Sequence, residues 1–174
     1  MRRRPYETTA KCAGCSPPEA RTNSEVFYVR PAYARVVPGD FDFWVGEWDA
    51  RWGGGRGSNT ITSELGGSVI LERFDGRPGT TLQGLSVSVF DRDRECWRQT
   101  WVDSHGGYLD FAGGVGGDGV MELRHEKRAD DGTVVPFRMR FTQVERESFV
   151  WLWERGEAEG AWSEQWRIQY TRLS

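Results

Sequence analysis

After residue 43 the chain is cut, at short and nearly even intervals, by glycine and aspartate clusters. They are Gly53-Gly54-Gly55, Gly66-Gly67, Arg77-Pro78-Gly79, Asp91-Arg92-Asp93, Gly106-Gly107, Gly116-Gly117-Asp118-Gly119, Asp130-Asp131-Gly132 and Gly156-Glu157. Between them run short segments that alternate in period two, the repeat of a strand with two unlike faces. None is long enough to contain the crossover helix that parallel strands require. The pattern predicts an all-β fold of about ten antiparallel strands joined by hairpins. A meander of that length must hide its edges, and closing into an up-and-down barrel is the simplest way.

The residues filling those segments fit this reading. Among 174 residues there are 9 Trp, 9 Phe and 5 Tyr beside 22 Gly, a mixture of bulky strand formers and turn formers. All 9 Trp follow residue 43, whereas five of the 7 Pro precede residue 41. The boundary is therefore set near Pro38-Gly39-Asp40. Residues 1–38 are expected to form a flexible, largely disordered extension with a short strand near 25–30, and residues 39–174 the barrel. Phe41-Asp42-Phe43-Trp44-Val45-Gly46 is too short for a full helix and suits a single helical turn plugging a core.

Charge excludes several classes of partner. Residues 1–40 carry 7 Lys and Arg against 4 Asp and Glu, leaving 16 against 22 for the barrel. An acidic domain argues against a nucleic-acid face, which needs clustered cations. No basic amphipathic helix suggests a membrane surface. The Met1-Arg2-Arg3-Arg4 start is not followed by an apolar run, so no signal peptide is readable. With 3 Cys, a full disulfide framework is excluded, and Cys12 and Cys15 lack a second ligand pair for zinc. Cys96, at a strand start, reads as packing. A cytoplasmic location fits best.

Strand periodicity assigns an interior. In Trp97-Arg98-Gln99-Thr100-Trp101-Val102-Asp103 the face bearing Trp97, Gln99, Trp101 and Asp103 should point inward. The same argument groups Phe137, Met139 and Phe141, then Phe149, Trp151 and Trp153, then Trp162, Trp166, Ile168 and Tyr170. Such an interior is either a solid core or a lined pocket with polar anchors. About ten strands enclose more space than the eight that side chains just fill, which favours a cavity. Trp97, Trp101, Trp151, Trp153, Trp166 and Tyr170 are the candidate aromatic wall, with Gln99 as an orienting hydrogen-bond group.

Three residues are candidates for proton transfer. Glu72 follows Val69-Ile70-Leu71 and shares a face with Ile70 and Phe74, so a carboxylate directed into the apolar interior there would have a raised pKa unless paired, with Arg138 and Arg140 as candidate partners whose alternation points them outward. Asp103 ends the aromatic strand. His105, just before Gly106-Gly107, would sit at the barrel rim as a near-neutral base with Asp103 beside it. His125, between Arg124 and Glu126, reads as exposed, and two histidines this far apart make no metal site. Gly114-Val115-Gly116-Gly117-Asp118-Gly119 matches a dinucleotide fingerprint, but strand follows it where a helix is required. It reads as a hairpin turn, and no cofactor is expected.

Phe41 to Trp48, Asn59-Thr60-Ile61, Gly67 to Glu72, Gly84 to Ser88 and Trp97 to Ser104 together resemble a bacterial family of unknown function with a lipocalin-like, calycin-type β-barrel. The resemblance spans residues 41–172. It extends distantly to nitrobindin-type haem barrels through Gly46-Glu47-Trp48. It implies a barrel with an internal ligand site. Those haem barrels ligate iron through a late-strand histidine, and residues 149–174 contain no His, which removes haem.

Three functions stand open on the sequence. The first is binding of a small, largely apolar or aromatic molecule. The second is a cofactor-independent enzyme, such as a cyclase or isomerase of secondary metabolism, shaping its substrate while Glu72, Asp103 or His105 moves a proton. The third is a protein-partner module using the Gly-rich rims and the extension. Oligomeric state is not encoded in any readable way.

Overall fold

The computed structural model describes residues 37–174. Cys12, Cys15 and the strand expected near 25–30 lie outside the described residues. The ten strands are β1 (Gly46–Trp52), β2 (Gly55–Glu64), β3 (Val69–Asp75), β4 (Gln83–Asp91), β5 (Cys96–Asp103), β6 (Tyr108–Val115), β7 (Met121–Arg128), β8 (Val134–Thr142), β9 (Ser148–Gly156) and β10 (Trp162–Arg172). Each pairs antiparallel with its sequence neighbours, and β1 pairs with β10 to close the barrel. Closure satisfies the edge groups that an open sheet would leave bare. Among the described residues no helix is long and apolar enough to cross a membrane.

Every glycine or aspartate cluster identified in the sequence lies in a connection between strands or at its edge. The β8–β9 connection, residues 143–147, has no such marker, and Gln143 there adopts a positive φ of 50°. Its identity as a turn comes from the pairing of Thr142 with Val150 rather than from local turn chemistry.

Inward faces follow the alternation, with one exception. Phe141, Phe149, Ile168 and Tyr170 are buried, and Met139 pairs across the sheet with Trp153. The exception is Trp162. The β9–β10 register shifts between Glu164 and Trp166, so Glu164 stands opposite Glu154 while Trp166 stands opposite Trp153. A bulge of one residue reverses the face of everything before it. Trp162 consequently lies outside, beneath the Arg138 guanidinium at 4.1 Å. Arg138 belongs to an outer ladder, bonding Glu154 at 2.6 Å and Glu122 at 3.2 Å.

One end of the barrel is stoppered. A single 3-10 turn, Asp42–Trp44, carries Phe41 and Trp44 into the interior at 0% and 2% exposure. Burying such rings is worth about 1.5–3 kcal/mol each. Phe41 meets Trp97 edge-on at 4.8 Å and Phe141 at 5.5 Å. Trp48 Nε1 donates to Trp44 O at 2.8 Å. Arg172, near the end of β10, lies over the Trp48 ring at 4.1 Å and donates to Val45 O at 2.9 Å and Phe43 O at 3.2 Å. The last strand thus fastens the plug to the first.

Candidate functional site

Above the plug the interior is not filled. A cavity of about 240 Å³ runs from Trp44 to the opposite rim, where Leu82, Asp103 and Leu109 surround its mouth. It lies slightly below the roughly 300–1,000 Å³ usual for drug-sized ligands, which suits a molecule of one or two rings.

The walls are aromatic. Trp151 and Trp153 lie on one side of β9 with rings parallel, 6.4 Å apart at 6°. Trp166 stands perpendicular to Trp151 at 89° and 5.9 Å, and equally perpendicular to Phe74 at 5.9 Å. These rings meet at right angles and form the corners of a box. Trp101 closes another side, and it can lie flat against β4 only because position 84 is glycine: a Cβ there would overlap the Trp101 ring. Asp103 Oδ2 accepts from Trp101 Nε1 at 3.0 Å and fixes the ring's rotation.

The floor is polar. Strand β3 directs Glu72 inward between β2 and β4. Its Oε1 accepts from Asn59 Nδ2 at 2.7 Å and its Oε2 from Ser86 Oγ at 2.6 Å. Gln99 Nε2 donates to Ser86 Oγ at 3.2 Å and Ser88 Oγ at 2.9 Å. The Gln99 carbonyl oxygen takes part in none of these bonds. Asn59 Nδ2 also reaches the Tyr170 hydroxyl at 3.4 Å. Every partner of Glu72 is neutral. Desolvation pushes its pKa above the ordinary carboxyl value, and the bonds from Ser86 and Asn59 offset only part of that rise. Tyr170 is raised as well, first by desolvation and then by the nearby Glu72 charge. Two polar atoms at this level, Trp44 Nε1 and Asn59 Oδ1, are buried without a hydrogen-bond partner.

Eight of the ten residues selected from the sequence line the cavity: Glu72, Gln99, Trp101, Asp103, Trp151, Trp153, Trp166 and Tyr170. Two do not. Trp97 lies below it in the plug layer, 1% exposed, with Nε1 donating to Val37 O at 3.3 Å. Alternation placed it correctly inward but could not tell how deep on the strand the cavity stops.

His105 is an exposed turn residue that does not line the cavity, and its Nε2 lies 3.2 Å from Thr81 Oγ1. Asp103 does not hold its imidazole. Desolvation raises Asp103, but bonds from Gly107 N, Trp101 Nε1 and His105 N outweigh it and leave the carboxyl below its usual range. Those bonds tie the Trp101 ring and the turn of residues 104–107 together at the rim.

His125 also departs from expectation. It stands opposite Phe137 in the inward row, with its ring 5.5 Å from Phe111. Its Nδ1 lies 2.9 Å from Asp110 O, an acceptor, so the proton sits on Nδ1. The flanking charges, Arg124 and Glu126, concealed an inward position that the alternation from Leu123 could have revealed.

Sequence reasoning missed that Trp44 of the plug also lines the cavity, because a plug residue has no strand periodicity to place it. No group of three or more His, Cys, Asp or Glu among the described residues could hold a metal ion. The chain matches no protein-family model and no curated protein, so the lipocalin-like reading rests on the closed antiparallel barrel itself.

Proposed function

We propose that this protein binds a small, largely apolar or aromatic molecule within the barrel. The observation that carries the proposal is the aromatic cavity stoppered at one end, open at the other, and floored by a hydrogen-bonded polar group. A solid core would fill the space that Trp101, Trp151 and Trp166 surround. Instead, although Trp151 and Trp166 meet edge to face at 5.9 Å, the three rings stand around a space of about 240 Å³. Indole faces supply stacking area, and the floor supplies orientation.

Native mass spectrometry of the purified chain, followed by tryptophan-fluorescence titration with one- and two-ring aromatics, tests this. A co-purified mass or saturable quenching is the expected result. Silence across the series would overturn the binding reading and favour a partner-binding role.

A second reading is favoured by Glu72. A carboxyl whose pKa is raised by burial inside a cavity can act as a general acid toward an enclosed substrate. Asp103, held by three N–H donors at the rim, and His105, exposed and outside the cavity lining, contribute less to that chemistry. Glu72→Gln should then abolish turnover while sparing affinity, whereas Asp103→Asn and His105→Ala should leave turnover measurable. Equal loss of turnover in all three variants would count against Glu72 as the sole acid.

A further inference from the structure

The cavity's charges are unbalanced. Glu72 and Asp103 line it, and among the described residues no Arg, Lys or His does. Arg73, Arg138 and Arg140 alternate to the outer face of their strands, and Arg138 and Arg140 bond the outer carboxylates Glu122, Glu154 and Asp118. Buried carboxylates are ordinarily paired with a cation, because removing a lone charge from water is costly. Glu72 is 7% exposed and has only Asn59 and Ser86.

Two further features favour a positive guest. Indole faces carry negative potential and attract cations most strongly of the aromatic side chains. Trp101, Trp151 and Trp166 direct such faces and edges at one space, with Trp151 and Trp166 at 89°. In addition, the Gln99 carbonyl oxygen is an acceptor beside Glu72 that no described donor uses. The floor therefore offers acceptors and negative charge, and asks for N–H donors.

The geometry points to a protonated amine as the ligand's defining group: an organic cation with a small aromatic or apolar body, its ammonium at Glu72 and Gln99 and its body among the tryptophans. This inference rests on the ligand-binding reading and narrows it. An anion would meet two carboxylates, and a neutral hydrocarbon would leave the Glu72 site without a purpose. In the complex the Glu72 carboxylate is ionised. If it enters the encounter protonated, that proton passes to solvent as the ammonium docks.

The test compares three probes of one skeleton, 3-phenylpropylamine, 3-phenylpropanol and 3-phenylpropanoate, titrated calorimetrically into the full chain at pH 7.5. The amine is expected to bind at least tenfold tighter than the alcohol, with the propanoate weakest. Glu72→Gln should erase the preference while changing alcohol affinity less than about twofold. The wild-type ranking needs no variant, so it remains decisive if Glu72→Gln fails to fold. An alcohol that binds as tightly as the amine, or an amine preference that survives in Glu72→Gln, overturns the cation inference and leaves the binding reading standing. Absence of binding by all three at millimolar concentration overturns both.

Discussion

Glu72 and Ser86 stand opposite each other on β3 and β4, and the Ser86 hydroxyl donates to Glu72 Oε2 at 2.6 Å. A neutral donor of this kind is the closest support the carboxylate has. The consequence is a measurable pH dependence. The folded-state pKa of Glu72 lies above the unfolded value of 4.5, so the native state retains the proton longer than the unfolded chain. Its contribution is most favourable at and below pH 4.5, is lost as pH rises toward the folded value, and is constant above it. Glu72→Gln keeps the shape and removes the titration. In urea unfolding across pH 4.5 to 8, the variant should gain on the wild type as pH rises; a constant difference would refute the linkage.

Gly84→Ala tests how the aromatic wall is seated. The new methyl occupies the space of the Trp101 ring, which must swing into the cavity and break its bond to Asp103. Overpacking of this kind costs about 1–3 kcal/mol. The expected result is a lower urea midpoint together with weaker binding of aromatic probes. Unchanged Trp emission and affinity would show that the ring has free room elsewhere.

Arg172→Ala tests the plug. It removes hydrogen bonds to Val45 O and Phe43 O and the cation above Trp48. Charged hydrogen bonds are worth about 1.5–3 kcal/mol, so a loss of that order is expected in denaturant unfolding. Arg172→Lys should recover little of it, because a single ammonium nitrogen cannot reproduce the planar guanidinium whose three nitrogens reach Arg146 O, Val45 O and Phe43 O separately. Full recovery by lysine would reduce the role to charge alone.

Trp97→Ala and Trp153→Ala should separate core from wall. Trp97 is packed against Phe41 and Phe90, and its removal should cost about 3–5 kcal/mol of stability with modest effect on ligand affinity in the folded fraction. Trp153 stacks on Phe137 at 5.1 Å and faces the cavity. Its removal should weaken aromatic probes up to about tenfold, in line with about 0.5–1.5 kcal/mol per ring pair. Titrations of both variants, read at equal folded fraction, decide between these assignments.

The architecture was legible because hairpin turns and period-two alternation are local signals. Strand number, closure and the inward rows around Trp101, Phe141 and Trp151 all follow from them. What escaped was non-local. The bulge before Trp166 is invisible in composition, and it alone moved Trp162 outside. The depth of Trp97 depended on where a turn from another part of the chain stops, and the orientation of His105 on a loop contact with Thr81. Glu72 was identifiable as an inward carboxyl, but its partners came from strands β2 and β4, and periodicity does not set register.

A barrel stoppered at one end constrains how the proposed guest would reach its interior. Because the Asp42–Trp44 stopper shuts one end, whatever reaches Glu72 must arrive head first past Leu82, Asp103 and Leu109, and must back out along the same track. A guest that is bulky at both ends is barred at the threshold, while a tapered one can reach the bottom. Release of the proposed guest would then depend on its contact at Glu72 as well as on the rings it passes on the way out.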